Sequence, residues 1–156
     1  MIVLVMGVSG AGKTTIGAAL ARELGWRFVD ADDYHPPGNI AKMAAGVPLT
    51  DLDRAPWLEA LNAVLKTADN AVLACSALKQ SYRDRLLAGI SDSTLVFLAA
   101  QFDVVQARLA QRSHAYMPAS LLRTQFDILE PPEKAIAVDV RADVPACVAA
   151  ILSRLR

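Results

Sequence analysis

The sequence predicts a three-layer α/β domain, a five-stranded parallel sheet with helices on both faces, and three observations lead there. Short apolar runs alternate with helical patterns, the runs are apolar throughout, and the first of them passes through a glycine-rich turn directly into a helical segment. The runs are Ile2 to Met6, Arg27 to Val29, Ala71 to Cys75, Thr94 to Ala99 and Ala135 to Val138, each of strand length and each followed by polar or turn residues. Helical patterns fill the gaps over Lys13 to Leu24, closed by Gly25, over Asp53 to Thr67, over Ser81 to Ala88, closed by Gly89, over Asp103 to Arg112 and over Val144 to Leu155. Alternation of this kind makes neighbouring strands parallel. Runs that are apolar on both sides belong to strands covered on both faces. Pro36-Pro37-Gly38 and the stretch Ser113 to Pro118 interrupt the pattern and read as a substrate segment and a lid, not as linkers between domains. The whole of 1–156 is expected to be one domain, with the lid at about 112–125.

Composition narrows the function classes. The chain is 54% hydrophobic, which suits a sheet covered by helices rather than a disordered chain, and its 16 basic residues balance 16 acidic ones. Without an overall positive field, neither nucleic acid nor a membrane surface is expected as the main partner. No apolar run approaches the roughly 18 residues of a membrane span. Cys75 and Cys147 are too few for a disulfide framework and lack metal-ligand spacing, which suits buried thiols in a cytoplasmic protein.

Gly7-Val8-Ser9-Gly10-Ala11-Gly12-Lys13-Thr14 satisfies G-x-x-x-x-G-K-[ST] in the strand-to-helix setting that this phosphate-binding loop requires. Its glycines let successive N–H groups curl around a phosphate, and the helix N-terminus adds partial positive charge. Lys13 then reaches the β- and γ-phosphates of a nucleotide, expected to be ATP. Thr14 is placed to bind Mg²⁺, and Thr15 follows in the same cradle. A switch GTPase is disfavoured, because the chain has no N-K-x-D and no D-x-x-G after a strand. The third strand ends in Ser76, so a carboxylate for the metal must come from elsewhere, and Asp30-Ala31-Asp32 can supply it. Alternate residues at a strand end point the same way, which would aim Asp30 and Asp32 together beside the loop. We assign Asp30 to the metal and Asp32 to the acceptor hydroxyl as general base, although the sequence does not decide which is which. Arg108 and Arg112 lie four apart on a helical segment just before the lid, so both guanidinium groups are expected on one face, closing over the γ-phosphate.

Between Asp30 and Trp57 the chain is dense in polar groups, as a hydrophilic acceptor would require. Here it resembles the gluconokinases, small P-loop kinases related in fold to shikimate and nucleoside monophosphate kinases. The resemblance runs through nearly the whole chain. It is carried by Asp30-Ala31-Asp32-Asp33-Tyr34-His35-Pro36, Asn39-Ile40-Ala41-Lys42-Met43, Gly46-Val47-Pro48-Leu49, Asp51-Leu52-Asp53-Arg54-Ala55-Pro56-Trp57-Leu58, Cys75-Ser76-Ala77-Leu78-Lys79, Tyr82-Arg83-Asp84 and Gln125-Phe126-Asp127-Ile128-Leu129-Glu130. It implies a P-loop NTPase sheet of order 2-3-1-4-5 with a helical lid, and ATP-dependent phosphorylation of D-gluconate at its 6-hydroxyl. Such a substrate, a small anion covered in hydroxyls, calls for a cationic clamp and several hydrogen-bonding side chains. Arg54, Lys79 and Arg83 are the candidates for the clamp, and His35 and Asp32 for hydroxyl contacts. Asn39, Met43, Trp57 and Phe126 read as packing residues. The lid Ser113 to Pro118 departs from the family pattern, so its contacts are not carried over. Relatives of this kind are often dimers, which makes a homodimer an expectation that the residues do not decide. Two other readings stay open at this stage, a related small-acceptor kinase such as a shikimate kinase and a noncatalytic ATP-binding module.

Overall fold

A run such as Ile2–Met6, apolar at every position, is stable only with both faces covered, and the fold places it at the centre of the sheet. The computed structural model describes residues 1–111 and 119–155. Five strands, β1 (Ile2–Met6), β2 (Arg27–Asp30), β3 (Ala71–Ala74), β4 (Ser93–Ala99) and β5 (Ile136–Asp139), form one parallel sheet in the order β2-β3-β1-β4-β5. Successive side chains of β1 divide between two cores. Val3 and Val5 pack with α1 (Lys13–Leu24) and α7 (Val144–Arg154), while Ile2, Leu4 and Met6 pack with α3 (Asp51–Lys66) and α4 (Gln80–Leu86). The three layers expected from the sequence are therefore present. Among the described residues, no helix is long and apolar enough to cross a membrane.

One helix was not anticipated. Pro36-Pro37-Gly38 opens α2 (Pro37–Ala44) instead of interrupting the chain. Proline at the first helical position loses no hydrogen bond, because that N–H has no partner inside the helix. Ala119–Ile128 forms α6, so the described part of the expected helical lid is indeed a helix, seated on the core through buried Leu121 and Leu122. Arg112 and Ser113 to Pro118 lie outside the described residues. The helix α5 (Phe102–Ala110) ends close to where the periodicity placed its end.

The helix α3 starts at Asp51, two residues before the Asp53 expected from the sequence. Thr50 caps it, accepting from the Asp53 N–H at 3.1 Å, while the Asp53 carboxylate accepts from the Thr50 N–H at 2.9 Å. This reciprocal box is worth on the order of 1 kcal/mol. Asp53 also accepts from Lys42 Nζ at 2.8 Å, which ties α2 to α3. With that oxygen so engaged, its pKa falls to about 2, chiefly through the Lys42 hydrogen bond.

Candidate active site

The carboxyl edge of the sheet gathers the chemistry. The chain turns out of β1 at Gly7, and the loop up to Gly12 leads into α1, so the phosphate cradle lies directly above the central strand. Gly10 has φ +82°, and a Cβ there would lie 2.9 Å from Cγ1 of Val105 and 3.0 Å from Cγ of Leu109, both on α5. Both the backbone conformation and the close approach of α5 thus require glycine. Lys13 Nζ donates to the Val8 carbonyl at 3.0 Å, which folds it over its own loop.

Asp30 ends β2 and does two things. It accepts from the Thr14 hydroxyl at 3.0 Å, and its other oxygen accepts from the Asp32 N–H at 3.0 Å. The second bond starts a 3₁₀ helix over Ala31–Tyr34. Asp32 therefore reaches the site through a capped turn and not through strand alternation, a correction to the geometry expected from the sequence. The two carboxylates have different settings. Asp30 is bound to the Thr14 hydroxyl, whereas the Asp32 pKa is raised, mainly by loss of water around it, partly offset by Lys13 and reinforced by Asp30 and Asp33.

A cavity of about 490 Å³ joins these groups. Ser9, Lys13, Asp32 and Ser76 lie at its phosphate end, and His35 and Arg54 line it further along. Its walls are apolar, with Ile40, Met43 and Val47 from α2 and its following loop, and Leu121 and Ile128 from α6. His35 stacks on Trp57 with ring centroids 4.0 Å apart, and Trp57 Nε1 donates to the Ala31 carbonyl at 2.7 Å. Trp57 is thus the shelf that fixes both His35 and the turn carrying Asp32. Burial, aided by the nearby Arg54 charge, lowers the His35 pKa to about 4, so the ring is neutral at physiological pH. Arg54 Nη1 donates to the Leu49 carbonyl at 2.6 Å and to the Tyr82 hydroxyl at 3.1 Å. The Tyr82 hydroxyl in turn donates to Asp51 at 2.6 Å.

Other candidates are not brought to the cavity. Lys79 pairs with Asp51 at 3.6 Å and lies over the Tyr82 ring. Arg83 is buried, and its guanidinium donates to the carbonyls of Ala77 at 2.7 Å, Leu78 at 3.2 Å and Glu130 at 2.9 Å. Both lie outside the cavity lining, Lys79 held at the start of α3 and Arg83 held by the segment that follows α6. Arg108 donates to the Val140 carbonyl, which directs it to the β5 side of the phosphate loop. Near it, Gln101, Val104, Asp139 and Arg141 line a second cleft of about 230 Å³.

Two site residues went unread in the sequence. Gln125 of α6 accepts from the Ser9 N–H at 2.8 Å and donates to the Ser9 hydroxyl at 3.0 Å, clasping the phosphate loop from the opposite wall. Nothing local marks it, since the contact spans more than a hundred residues. Asn39 is almost fully buried yet polar, and it bonds His35. A buried amide among apolar neighbours is a signal that only burial reveals.

The chain is similar to known proteins in sequence and in fold. The shikimate kinase family model matches residues 9–126. A probable gluconokinase of Mus musculus is 46% identical over 99% of this chain and 97% of its own length. The thermosensitive gluconokinase of Escherichia coli K12 is 40% identical over 98% of this chain and 84% of its own. The crystal structure of a gluconokinase from Sinorhizobium meliloti 1021 superposes with a TM-score of 0.90 at 42% identity, covering 97% of this chain and 89% of that one. Shikimate kinase from Aquifex aeolicus, at 18% identity and a TM-score of 0.70 over 99% of this chain and 96% of that one, shares the fold alone. With a phosphate loop, a carboxylate turn and a cavity joining them on one sheet edge, and relatives matched over most of their length, the chain belongs to the gluconokinase family of P-loop kinases.

Proposed function

We infer that the chain transfers the γ-phosphoryl group of ATP to the 6-hydroxyl of D-gluconate, giving 6-phospho-D-gluconate and ADP. The observation that carries this reading is the single cavity in which Lys13 and Ser9 of the phosphate loop face Asp32, His35 and Arg54. Donor and acceptor then meet without crossing bulk water, which would otherwise compete as acceptor.

Asp32 takes the proton of the attacking hydroxyl and aims its oxygen at the γ-phosphate. Its raised pKa makes it a stronger base than an ordinary carboxylate. Arg54 suits the sugar-acid carboxylate. Its Nη1 is held by Leu49 and Tyr82, so the Nε and Nη2 edge, which makes no hydrogen bond among the described residues, is left for a two-bond clamp. Lys13 and the loop N–H groups hold the transferring phosphate, and we assign Arg112 to the same charge in the transition state. Thr14 and Asp30 fit Mg²⁺. Their mutual bond uses the hydroxyl proton and leaves oxygen lone pairs for a hard cation that commonly takes few protein ligands. Bound there, Mg²⁺ would offset charge on the β- and γ-phosphates. Arg108 and the cleft beside Val140 suit the base end of the nucleotide. Cys75 and Cys147, both buried and free, suit a cytoplasmic enzyme.

The test is an ADP-release assay with gluconate, shikimate, nucleoside monophosphates and glucose as alternative acceptors. Turnover with gluconate well above the others is expected. Turnover confined to another acceptor would reject the assignment, and Arg54→Ala should raise KM for gluconate far more than KM for ATP.

A further inference from the structure

His35 lines the cavity, but which of its ring nitrogens carries the proton decides what it can do there. Asn39 settles this. Its Nδ2 lies 2.9 Å from the Asp53 carbonyl oxygen and 3.2 Å from His35 Nδ1. A carbonyl only accepts, so the nitrogen of the amide, not its oxygen, must face Asp53. That same NH₂ group has no lone pair to offer, so its second hydrogen must be accepted by an unprotonated His35 Nδ1. A neutral ring then carries its proton on Nε2, the atom without a protein partner among the described residues. The pieces are rigid, because Asn39 is buried, Trp57 holds the ring face and the capping box fixes Asp53.

We propose that Asn39 is a positioning residue that locks His35 as the Nε2–H tautomer, so that the ring presents a neutral donor to a hydroxyl oxygen of the sugar acid. The inference rests on the reading of this cavity as the acceptor site. It separates two recognition tasks. Arg54 supplies the positive charge for the carboxylate, and His35 reads a hydroxyl without adding a second charge beside Arg54.

Long-range ¹H–¹⁵N correlation spectra of the whole chain test the lock. The protein has 2 histidines, so the spectrum contains few ring signals, and His35→Gln identifies those of His35 by their loss. Wild-type protein should show a protonated Nε2 and an unprotonated Nδ1, with the ring signals moving when gluconate is added. A protonated Nδ1, or averaging between the two forms, would overturn the proposal without any variant being made. Asn39→Ala should release the tautomer and Asn39→Asp should move the proton to Nδ1, because a carboxylate only accepts. Either change should raise KM for gluconate by about 3- to 10-fold, the loss of roughly one hydrogen bond, with KM for ATP within about twofold. If Asn39→Asp does not fold against the Asp53 carbonyl, Asn39→Ala carries the kinetic arm. A released tautomer with unchanged KM for gluconate sinks the positioning role. Gluconate that is phosphorylated but moves no His35 signal rejects the contact alone, whereas a chain that phosphorylates no gluconate rejects the acceptor reading beneath it.

Discussion

Loss of water around Asp32 raises its pKa against the pull of Lys13, while Asp30, a few residues away, spends one oxygen on Thr14 and the other on a backbone N–H. Two carboxylates of the same type thereby acquire different surroundings, which suit them to different tasks. Asp32→Asn should lower kcat by at least about 10² while nucleotide binding, followed by titration calorimetry, persists. In the wild type, kcat should rise with pH as Asp32 loses its proton, and that acid limb should be missing from the variant. His35 makes a second prediction at this scale. Its folded pKa of about 4 lies below the ordinary value of 6.5, so between these values the unfolded chain binds the proton more strongly. The stabilising contribution is complete above pH 6.5 and is lost as pH falls toward 4. The fall in Tm over that window should be shallower in His35→Gln than in the wild type. Parallel curves for the two proteins would mean that the ring is not buried as a neutral group.

Gln125 is where one element reaches across the site. Its two bonds to Ser9 connect α6 to the phosphate loop, and the same helix supplies Leu121 and Ile128 to the acceptor wall. Gln125→Ala should therefore raise KM for ATP and for gluconate together, each by about 3- to 10-fold for hydrogen bonds of ordinary strength. An effect on one substrate alone would break the link between the two halves. This contact was the least legible part of the site. β1, α1 and the loop between them announce themselves because their constraints are local: an apolar run, a glycine pattern, a helix period. The sheet order followed from resemblance and agrees with the structure. By contrast, α2 was hidden because Pro36-Pro37-Gly38 reads as a break when proline's tolerance at a helix start is not weighed. The contacts of Gln125 and Asn39 depend on residues distant in the chain or on burial, neither of which periodicity carries. Asp30, Asp32, His35 and Arg54 were legible because charged and hydrogen-bonding residues crowded into an apolar chain call for a ligand.

At the scale of the whole molecule, Arg83 decides how the acceptor edge is held. A buried guanidinium resembles a substrate clamp when only its charge and its place after a strand are visible. The fold instead spends it on carbonyls from two segments, Ala77 and Leu78 after β3 and Glu130 after α6, so it fastens the loop between β3 and α4 to the segment leading into β5. The need is local strain. Ala77 is the non-glycine residue with positive φ among the described residues, at +44°, and it sits between Ser76 and Leu78, both of which line the cavity. Left-handed backbone costs an alanine about 1–2 kcal/mol, and the Arg83 bond to the Ala77 carbonyl helps to hold it there. Removing the guanidinium would leave the buried Ala77 carbonyl unpaired, at about 1–3 kcal/mol before water or relaxation compensates, whereas the Leu78 carbonyl keeps the Glu130 N–H at 2.8 Å. Arg83→Ala should therefore lower Tm by several degrees, while the fraction that remains folded keeps its KM for gluconate within about twofold. Ala77→Gly in the same background should recover part of the lost Tm, because glycine adopts the left-handed conformation without that cost. A variant with normal Tm and a KM for gluconate raised tenfold or more would instead place Arg83 on the substrate, as its position in the sequence first suggested.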